Sequence, residues 1–569
     1  AYNLLFSGGL EIHTTQDPDI QSVVDTEISN PENYDVVYYS IDYRLSIQHA
    51  DQTTTNYSDE TLKTYFRKDL GESNFDGLFT SKEKADEAIE KYRTAMTKEG
   101  DTILGESVHY VLQPQASFVL IDQSNGYVKA LSGGRGQKEV SRSLNRATNT
   151  LRQPGSTFKV ITSFAPAIDT CGATLGSVYY DAPYTMGTKT FRNWYSSKGY
   201  MGYSTIRDGI VYSMNIVAVR CMIETVTPQL GVEYARNLGI TSLTDSDYNA
   251  STALGGITKG VSNLELTDAF AAIANSGIYT KPVFFTQILD HNGKVLLENE
   301  PETKRVLKDS TAFLLTDAMA QSMESSRMFA SSGVSLNSTS AVANIPGMSN
   351  AGKSGTTTSN NDIWFVGFTP YYTAGIWSGC DDNQKISAIG SSTSYHKKIW
   401  KKIMTTIHEG LADTGFPVPS SVTTAQICRK SGKLAIPGVC DHDPRGSAVY
   451  TEYFAKGTVP TEVCDHHVQL TVCSESGGLA TEYCPEKTTR TFMVIPEGES
   501  GGTDDSKYRS PGTCTIHGSS SVVVPSDETS DENSSSQAET TQETVPETTK
   551  AAPKSPLDQV YIPIGPGYE

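Results

Sequence analysis

Three short motifs follow one another along this chain and together carry the side chains that an acylating serine enzyme uses. In chain order they are Ser156-Thr157-Phe158-Lys159, Ser213-Met214-Asn215 and Lys353-Ser354-Gly355. A serine hydroxyl is a weak nucleophile until a base takes its proton, and a lysine amine can be that base when its pKa is lowered. Each motif alone is a weak signal, so the prediction of a serine acyl-transfer site depends on all three.

The first motif is predicted to begin a helix. Pro154 and Gly155 break the chain just before Ser156, and the apolar residues that follow recur with helical spacing. A spacing of three residues places Ser156 and Lys159 on one helix face. Burial and a second cation at Lys353 would lower the pKa of Lys159, and the first helical turn offers free backbone N–H groups to an oxyanion. The alternative is an ordinary capped helix with a surface lysine.

The other two motifs are predicted to line a cleft. Ser213 and Asn215 interrupt an apolar stretch, and buried polar side chains need partners. Ser213 could relay a proton and Asn215 could hold a substrate amide, or the pair could simply form a loop and a helix cap. The third motif precedes residues 362–368, which are β-branched and aromatic and predict a strand hairpin. A strand edge of this kind suits a carboxylate and an acyl oxyanion, although a Gly-rich surface turn is the alternative.

One further pattern match is rejected. Residues 347–354 fit the phosphate-binding pattern G-x-x-x-x-G-K-[ST] letter for letter. A true P-loop follows a buried apolar strand and opens a helix, whereas residues 335–345 are mostly polar or small and the following residues favour a strand. We therefore expect no nucleotide. The predicted site also has no cofactor and no metal.

Taken together, the motifs resemble the transpeptidase domain of a class A, bifunctional penicillin-binding protein. Asn145-Arg146-Ala147-Thr148, Ala253-Leu254-Gly255-Gly256 and Trp377-Ser378-Gly379 are similar to segments of that family. The resemblance covers roughly residues 1 to 410. Two departures are minor: Met214 replaces the Asp of S-D-N, and Ser354 replaces the Thr of K-T-G.

The resemblance implies a D,D-transpeptidase that cross-links peptidoglycan stem peptides ending in D-Ala-D-Ala and is acylated by β-lactam antibiotics. Ser156 would be the nucleophile, Lys159 its base with help from Ser213, and Asn215 would orient the donor peptide. Backbone N–H groups of Ser156 and Thr356 would form the oxyanion hole. The predicted catalytic residues are Ser156, Lys159, Ser213, Asn215 and Lys353, and the predicted substrate-binding residues are Ser354, Gly355, Thr356 and Thr358.

Two other functions stay open at this point. A D,D-carboxypeptidase or β-lactamase-type hydrolase needs a base that activates deacylating water, and Glu265 is the one acidic residue proposed for it. The other is a non-catalytic penicillin-sensing module, which the intact motifs argue against. The formal net charge of −19 argues against nucleic acid as a partner.

The resemblance also implies an α+β fold similar to that of β-lactamases, with an antiparallel sheet sandwiched by helices. The chain does not begin with Met and has no apolar run near the roughly 20 residues of a membrane helix. We therefore expect a fragment that lacks its glycosyltransferase domain and N-terminal anchor. The expected location is the extracytoplasmic face of a Gram-positive, clostridial-like membrane, alongside other cell-wall synthesis proteins. The predicted parts are a linker (1–30), an accessory module (31–115), the transpeptidase domain (116–412), two Cys-containing repeat units (420–517) and a disordered acidic tail (518–569).

The C-terminal region carries an approximate repeat. Six of the nine cysteines fall between residues 428 and 514, in two units with similar sequence around each first cysteine. A repeat of this kind indicates one small supersecondary unit used twice. The first unit contains Cys428, Cys440 and Cys464, the second contains Cys473, Cys484 and Cys514, and the isolated Cys171, Cys221 and Cys380 are predicted to be core residues.

These cysteines allow two kinds of cross-link. An oxidising compartment, which the enzyme class implies, favours disulfides, and the preferred pairs are Cys428–Cys440 and Cys473–Cys484. Zinc is the alternative, because Cys464-x-x-His467 and Cys514-x-x-His517 would complete two Cys₃His ligand sets.

Overall fold

The computed structural model describes residues 2–138, 141–329, 335–498 and 502–518. The predicted acidic tail, apart from Gly518, lies outside these residues. The chain divides into two units, Ala1–Ile516 and His517–Glu569, and the architecture below is that of the first. Within the described residues, no helix combines the length and the apolar composition that a membrane crossing requires.

Short N-terminal elements lead into the fold. They are α1 (Tyr2–Ser7), β1 (Glu11–Thr14) and α2 (Pro18–Ser29). Asp17 caps α2, because its carboxylate accepts hydrogen bonds from the backbone N–H groups of Asp19 and Ile20, each at 3.2 Å. The buried face of α2, with Val24 and Ile28, packs into the core of the largest module.

The segment that precedes the largest module has a core of its own. Its elements are β2 (Tyr38–Gln48), β3 (Thr54–Ser58), α3 (Asp59–Thr64), α4 (Lys82–Met96) and β4 (Thr102–Gln113). The strands form an antiparallel sheet in the order β3-β2-β4. Ile89 and Tyr92 of α4 are buried with Tyr43 and Leu45 of β2, so the helix and the sheet cover each other.

The largest module contains a five-stranded antiparallel sheet, shorter strands outside that sheet, and helices. Its strands are β5 (Gln115–Asp122), β6 (Tyr127–Ser132), β7 (Val178–Asp181), β8 (Tyr184–Met186), β9 (Lys189–Phe191), β10 (Gly202–Thr205), β11 (Ile278–Thr280), β12 (Phe285–Leu289), β13 (Val295–Glu298), β14 (Thr303–Arg305), β15 (Arg327–Phe329), β16 (Ser335–Asn337), β17 (Ala351–Thr356), β18 (Asp362–Phe368) and β19 (Thr373–Gly379). Its helices are α5 (Ala165–Asp169), α6 (Ile206–Val211), α7 (Asn215–Arg220), α8 (Pro228–Asn237), α9 (Asn263–Ala274), α10 (Asp309–Met323) and α11 (Tyr395–Ile407). The central sheet has the order β17-β18-β19-β5-β6.

Helices cover both faces of this sheet. Phe118 and Leu120 of β5 belong to one core with Trp400 of α11, whereas the intervening Val119 belongs to another core with Ala271 of α9. Side chains alternate between the faces of a strand, so a strand that is buried on both faces is apolar at successive positions. The predicted antiparallel sheet between helices is therefore confirmed, with residues 119–122 and the third motif in the same sheet.

The C-terminal region consists of two antiparallel hairpins. The strands are β20 (Val422–Cys428) with β21 (Val449–Ala455), and β22 (His467–Cys473) with β23 (Lys487–Met493). The backbone repeats as well: Cys428 N–H donates to the carbonyl of Lys433, and Cys473 N–H to that of Gly478, both at 2.8 Å.

The predicted disulfides Cys428–Cys440 and Cys473–Cys484 are wrong for this structure. All nine cysteines, each of which lies in the described part of the chain, are free thiols. The physical reason is the arrangement of the thiols, which are grouped in threes and not in pairs. Those of Cys428, Cys440 and Cys464 converge instead on one point, each sulfur within 4.8 Å of the others.

Candidate active site

The motifs meet at one hydrogen-bonded cluster beside the central sheet. Nζ of Lys159 lies 2.6 Å from Oδ1 of Asn215, 2.6 Å from the carbonyl oxygen of Ser213 and 3.2 Å from its Oγ. Nζ of Lys353 donates to the same Oγ at 2.8 Å and to the carbonyl oxygen of Ser354 at 3.0 Å. The Ser213 hydroxyl thus bridges two lysine amines that come from distant parts of the sequence.

Ser156 lies in a 3₁₀ turn, Gly155–Thr157, that opens the helical segment ending at Asp169. As predicted, the segment starts at the Pro-Gly break, although its next turn is π-helical rather than α-helical. Ser156 is half-buried, whereas Lys159 has no exposed surface. Ser156 therefore keeps part of its surface open to solvent, and the Lys159 amine is shielded from water.

Close backbone packing holds this turn against the edge of the sheet. Gly155 has φ +56°, a conformation that favours glycine, and a Cβ there would lie 2.8 Å from the carbonyl oxygen of Thr356. Gly255, with φ +74°, contacts Gly155 from another direction, so no side chain fits at that position either. The nucleophile turn is thereby fixed between the Gly255 turn and β17. The backbone segments of Ser156 and Thr356, whose N–H groups form the predicted oxyanion hole, adjoin each other.

The predicted substrate-binding residues occupy an edge strand and the turn after it. Ser354, Gly355 and Thr356 lie in β17, which is the end strand of the central sheet, with Ser354 half-buried and Thr356 exposed. Thr358 is exposed in the turn that follows, and the hydrogen bonds of the cluster described above do not include it. Because Lys353 lies inside a strand and does not open a helix, the P-loop match has no structural basis.

Burial and a neighbouring cation lower the pKa of each of the two lysines. Burial, followed by the charge of Lys353, lowers the pKa of Lys159 well below its usual range. Burial together with the cation of Lys397 lowers the pKa of Lys353 to about 7. A neutral Lys159 has two N–H groups, which the Ser213 carbonyl and Asn215 can accept, and one lone pair. That lone pair can take a proton from a hydroxyl, as a general base must.

Two buried residues that the motifs did not indicate position Asn215. Oδ1 of Asn193 accepts hydrogen bonds from the backbone N–H groups of Asn215 (2.8 Å) and Ile216 (3.0 Å), where α7 begins. The Asn193 amide donates in turn to buried Asp181. The sequence held one weak signal, since Asp181 is a polar residue in an aromatic stretch, as Ser213 is in an apolar one.

The effect of the Lys397 cation on Lys353 leads to a pH-dependence prediction. We expect the second-order rate constant of acylation by benzylpenicillin to fall above about pH 7, because the predicted role of Lys353, attracting the ligand carboxylate, requires its proton. Substitution Lys397→Met removes a cation that lowers the pKa of Lys353, so the descending limb should move to higher pH. The matched control, Lys398→Met, changes an exposed lysine on the same helix and should leave the limb in place. An unshifted limb in Lys397→Met would exclude Lys353 as the titrating group.

The fold and the site define a class: proteins that place a serine and two buried lysines at the edge of an antiparallel sheet flanked by helices. The family described as "Penicillin binding protein transpeptidase domain" matches residues 116–405, which is more than half of the chain, and "Penicillin-binding protein 1A, C-terminal domain" matches residues 418–469. The chain therefore belongs to the penicillin-binding protein transpeptidase family, as the motifs indicated.

Curated relatives agree with this assignment. Penicillin-binding protein 1A of Clostridium botulinum (strain Langeland) is 34% identical over 409 residues, a match that covers 69% of this chain and 47% of the relative. Penicillin-binding protein 1A/1B of Bacillus subtilis (strain 168) is 30% identical over 400 residues, covering 66% and 41%. The chain thus spans about half the length of the curated relatives it matches.

Solved structures show the same fold. Penicillin-Binding Protein 1A from Haemophilus influenzae aligns with a TM-score of 0.57 at 20% identity, covering 80% of this chain and 74% of the other. The PonA1 protein from Mycobacterium tuberculosis, solved in complex with penicillin V, aligns with a TM-score of 0.51 at 21% identity, covering 74% and 91%. At these identities the likeness concerns the fold alone.

Proposed function

We propose that this chain is a D,D-transpeptidase that cross-links peptidoglycan stem peptides ending in D-Ala-D-Ala, and that β-lactams acylate it at Ser156. The observation that carries this proposal is the bridge from Lys159 to Lys353 through the Ser213 hydroxyl, next to the turn that holds Ser156. Such a bridge joins the base to the cation that attracts a carboxylate, and a peptide with a free carboxyl terminus needs both.

In the proposed first half-reaction, neutral Lys159 takes the proton of the Ser156 hydroxyl, and Oγ attacks the penultimate carbonyl carbon. The oxyanion is held by the N–H groups of Ser156 and Thr356. The amide bond to the last D-alanine then breaks, and its nitrogen receives the proton from Lys159 through the Ser213 hydroxyl. Lys353, with the hydroxyl groups of β17, holds the carboxylate of the departing residue.

In the second half-reaction, an amine of a neighbouring stem attacks the ester carbon of the acyl-enzyme. The attacking amine loses one proton to Lys159. Ser156 Oγ leaves as the ester bond breaks and receives that proton from Lys159. The products are one new amide bond and the free enzyme, so protons and bonds balance over the cycle.

A transpeptidase is favoured over a fast hydrolase by the position of Glu265. Its carboxylate accepts a hydrogen bond from the backbone N–H of Ser262 at 3.4 Å, while Ser262 Oγ accepts from Glu265 N–H at 3.2 Å, so the two residues cap α9. The carboxylate also accepts from the backbone N–H of Thr241 at 3.2 Å. These contacts commit Glu265 to helix capping rather than to the activation of water.

For the full-length protein we infer a second activity, peptidoglycan glycosyltransferase, and a place at the extracytoplasmic face of the bacterial membrane. Support comes from the partial coverage of the relatives, about half their length. Other cell-wall synthesis proteins are the expected partners.

A labelling time course with fluorescent penicillin tests the transpeptidase proposal. We expect about one label per chain, located by peptide mass mapping on the peptide that contains Ser156, and retained for hours because the acyl-enzyme lacks a base for water. Label that forms and is released within seconds would instead support the hydrolase. No label at all would support the sensing module, with heat-denatured chain as the background control.

A further inference from the structure

Outside the acyl-transfer site, the three thiols of the first cysteine unit converge with one imidazole, that of His467 at the start of β22. The ligand atoms of Cys428, Cys440, Cys464 and His467 all lie within 4.8 Å of one another, and all four residues are buried. We propose that these four residues bind one zinc ion, a site that has no part in the acyl-transfer chemistry.

The distances fit a tetrahedral ion. Nδ1 of His467 lies 3.4 Å from Sγ of Cys428 and 3.5 Å from Sγ of Cys464. Zinc binds sulfur at about 2.3 Å and nitrogen at about 2.0 Å, so tetrahedral geometry separates a sulfur from a nitrogen ligand by about 3.5 Å. The set is thus spaced for an ion at its centre.

The imidazole is oriented for coordination through Nδ1. Its Nε2 lies 2.8 Å from Oδ2 of buried Asp443, and Arg445 holds that carboxylate with bonds of 2.8 Å from Nε and 2.7 Å from Nη2. With the proton on Nε2, the lone pair of Nδ1 faces the thiols. A carboxylate behind a metal-binding histidine is the usual outer partner of such a ligand. In addition, the backbone N–H of Ile436 donates to Sγ of Cys440 at 3.3 Å, which stabilises a thiolate.

The ligand set selects the kind of ion and its role. Three soft thiolates and one imidazole in a closed tetrahedral arrangement favour zinc over oxygen-preferring ions such as Mg²⁺ or Ca²⁺. Four protein ligands leave no open position for substrate or water, so the ion is structural. A disulfide between two of the thiols would instead leave the third thiol and the imidazole facing each other in the interior without a common partner.

The proposed site is linked to the transpeptidase module through its outer partners. Arg445, which holds Asp443, also donates to Oδ2 of Asp504 at 3.1 Å and to Asp505. Asp505 in turn accepts the backbone N–H of Tyr203, in β10, at 2.6 Å. An ion that fixes the loop of Asp443 would therefore also fix the attachment of this hairpin unit to the enzyme.

The test measures metal bound to the full chain by inductively coupled plasma mass spectrometry after dialysis. The thiols of Cys473, Cys484 and Cys514 in the second unit also lie within 4.8 Å of one another, so the readout is a difference between variants. We expect Cys440→Ser to bind one zinc fewer per chain than the parent. The matched control, Cys171→Ser, changes a cysteine outside both sets and should keep the parental content. Equal zinc in the two variants would overturn the proposal.

Two further measurements test the zinc proposal even if Cys440→Ser fails to fold. His467→Cys keeps four ligands and should retain the parental zinc content, whereas His467→Ala removes one ligand and should bind one zinc fewer per chain. Equal zinc in these two variants would overturn the proposal. In the native parent, Cys428, Cys440 and Cys464 should resist alkylation until a chelator is added and then react. A non-reduced peptide map that contains a Cys428–Cys440 disulfide, or alkylation that is independent of chelator, would overturn the zinc site without affecting the transpeptidase proposal.

Discussion

Replacing Ser156 by alanine is expected to abolish covalent labelling by penicillin, and replacing Lys159 by methionine to slow labelling by about a thousandfold. Ser156 supplies the only atom that the proposed mechanism joins to the ligand. Lys159→Met keeps an unbranched chain in a position with no exposed surface but removes the amine, so it separates the loss of a base from the loss of packing. The measurement is the second-order rate constant of acylation, with circular dichroism to confirm the fold.

A serine on the same helical segment provides the matched control. Ser163 is buried, and its hydroxyl has no hydrogen-bond partner among the described residues. Ser163→Ala should therefore label at the parental rate. Labelling of Ser156→Ala at the parental stoichiometry would place the nucleophile elsewhere, and a parental rate in Lys159→Met would exclude that amine as the base.

The second large effect is expected at the buried ion pair between Arg207 of α6 and Glu452 of β21. Nε of Arg207 lies 2.7 Å from one carboxylate oxygen and Nη2 lies 2.5 Å from the other. The Glu452 side chain is fully buried, and Arg207 also pairs with Asp317 of α10 at 2.6 Å. Removing one partner of a buried pair leaves an uncompensated charge, so Glu452→Met should lower the free energy of unfolding by about 3 kcal/mol.

A double-mutant cycle measured by urea denaturation tests this expectation. The double variant Arg207→Met with Glu452→Met leaves no fully buried charge unpaired, because the remaining carboxylate of Asp317 is partly exposed to solvent. It should therefore be less destabilising than Glu452→Met alone. Since α6 leads directly to Ser213, Glu452→Met should also slow acylation, whereas the double variant should recover part of the rate. Two outcomes would show that the pair does not couple the hairpin unit to the enzyme. One is that the losses of unfolding free energy of the single variants add in the double variant; the other is that each loss is below about 1 kcal/mol.

The local chemistry of the site was predictable because short contiguous segments of the sequence carry the reactive side chains. The Pro-Gly break before Ser156 and the β-branched run at 362–368 specify a helix start and a strand through local conformational preferences. The contributions of Asn193 and Gly255 were not predictable in the same way. Each acts on the site through contact with a segment far from it in sequence, and only the packed backbone brings those segments together.

The cysteines illustrate the same limit. Composition and compartment favoured disulfides, and the repeat was visible in the sequence, but the sequence does not contain the angles at which the thiols approach one another. In the structure Asp443 turns His467 toward Cys428 and Cys464, and the thiols meet at a point instead of in pairs.

The order of residues along the chain therefore determined which groups are present, which segments form helices and strands, and which family the chain resembles. Tertiary packing alone decided which of those groups share a hydrogen bond, which lysines have a lowered pKa, and that the thiols of each unit converge in threes instead of pairing. The physical reason is that conformational preference is a property of neighbours in sequence, whereas burial, charge coupling and ligand geometry are properties of neighbours in space.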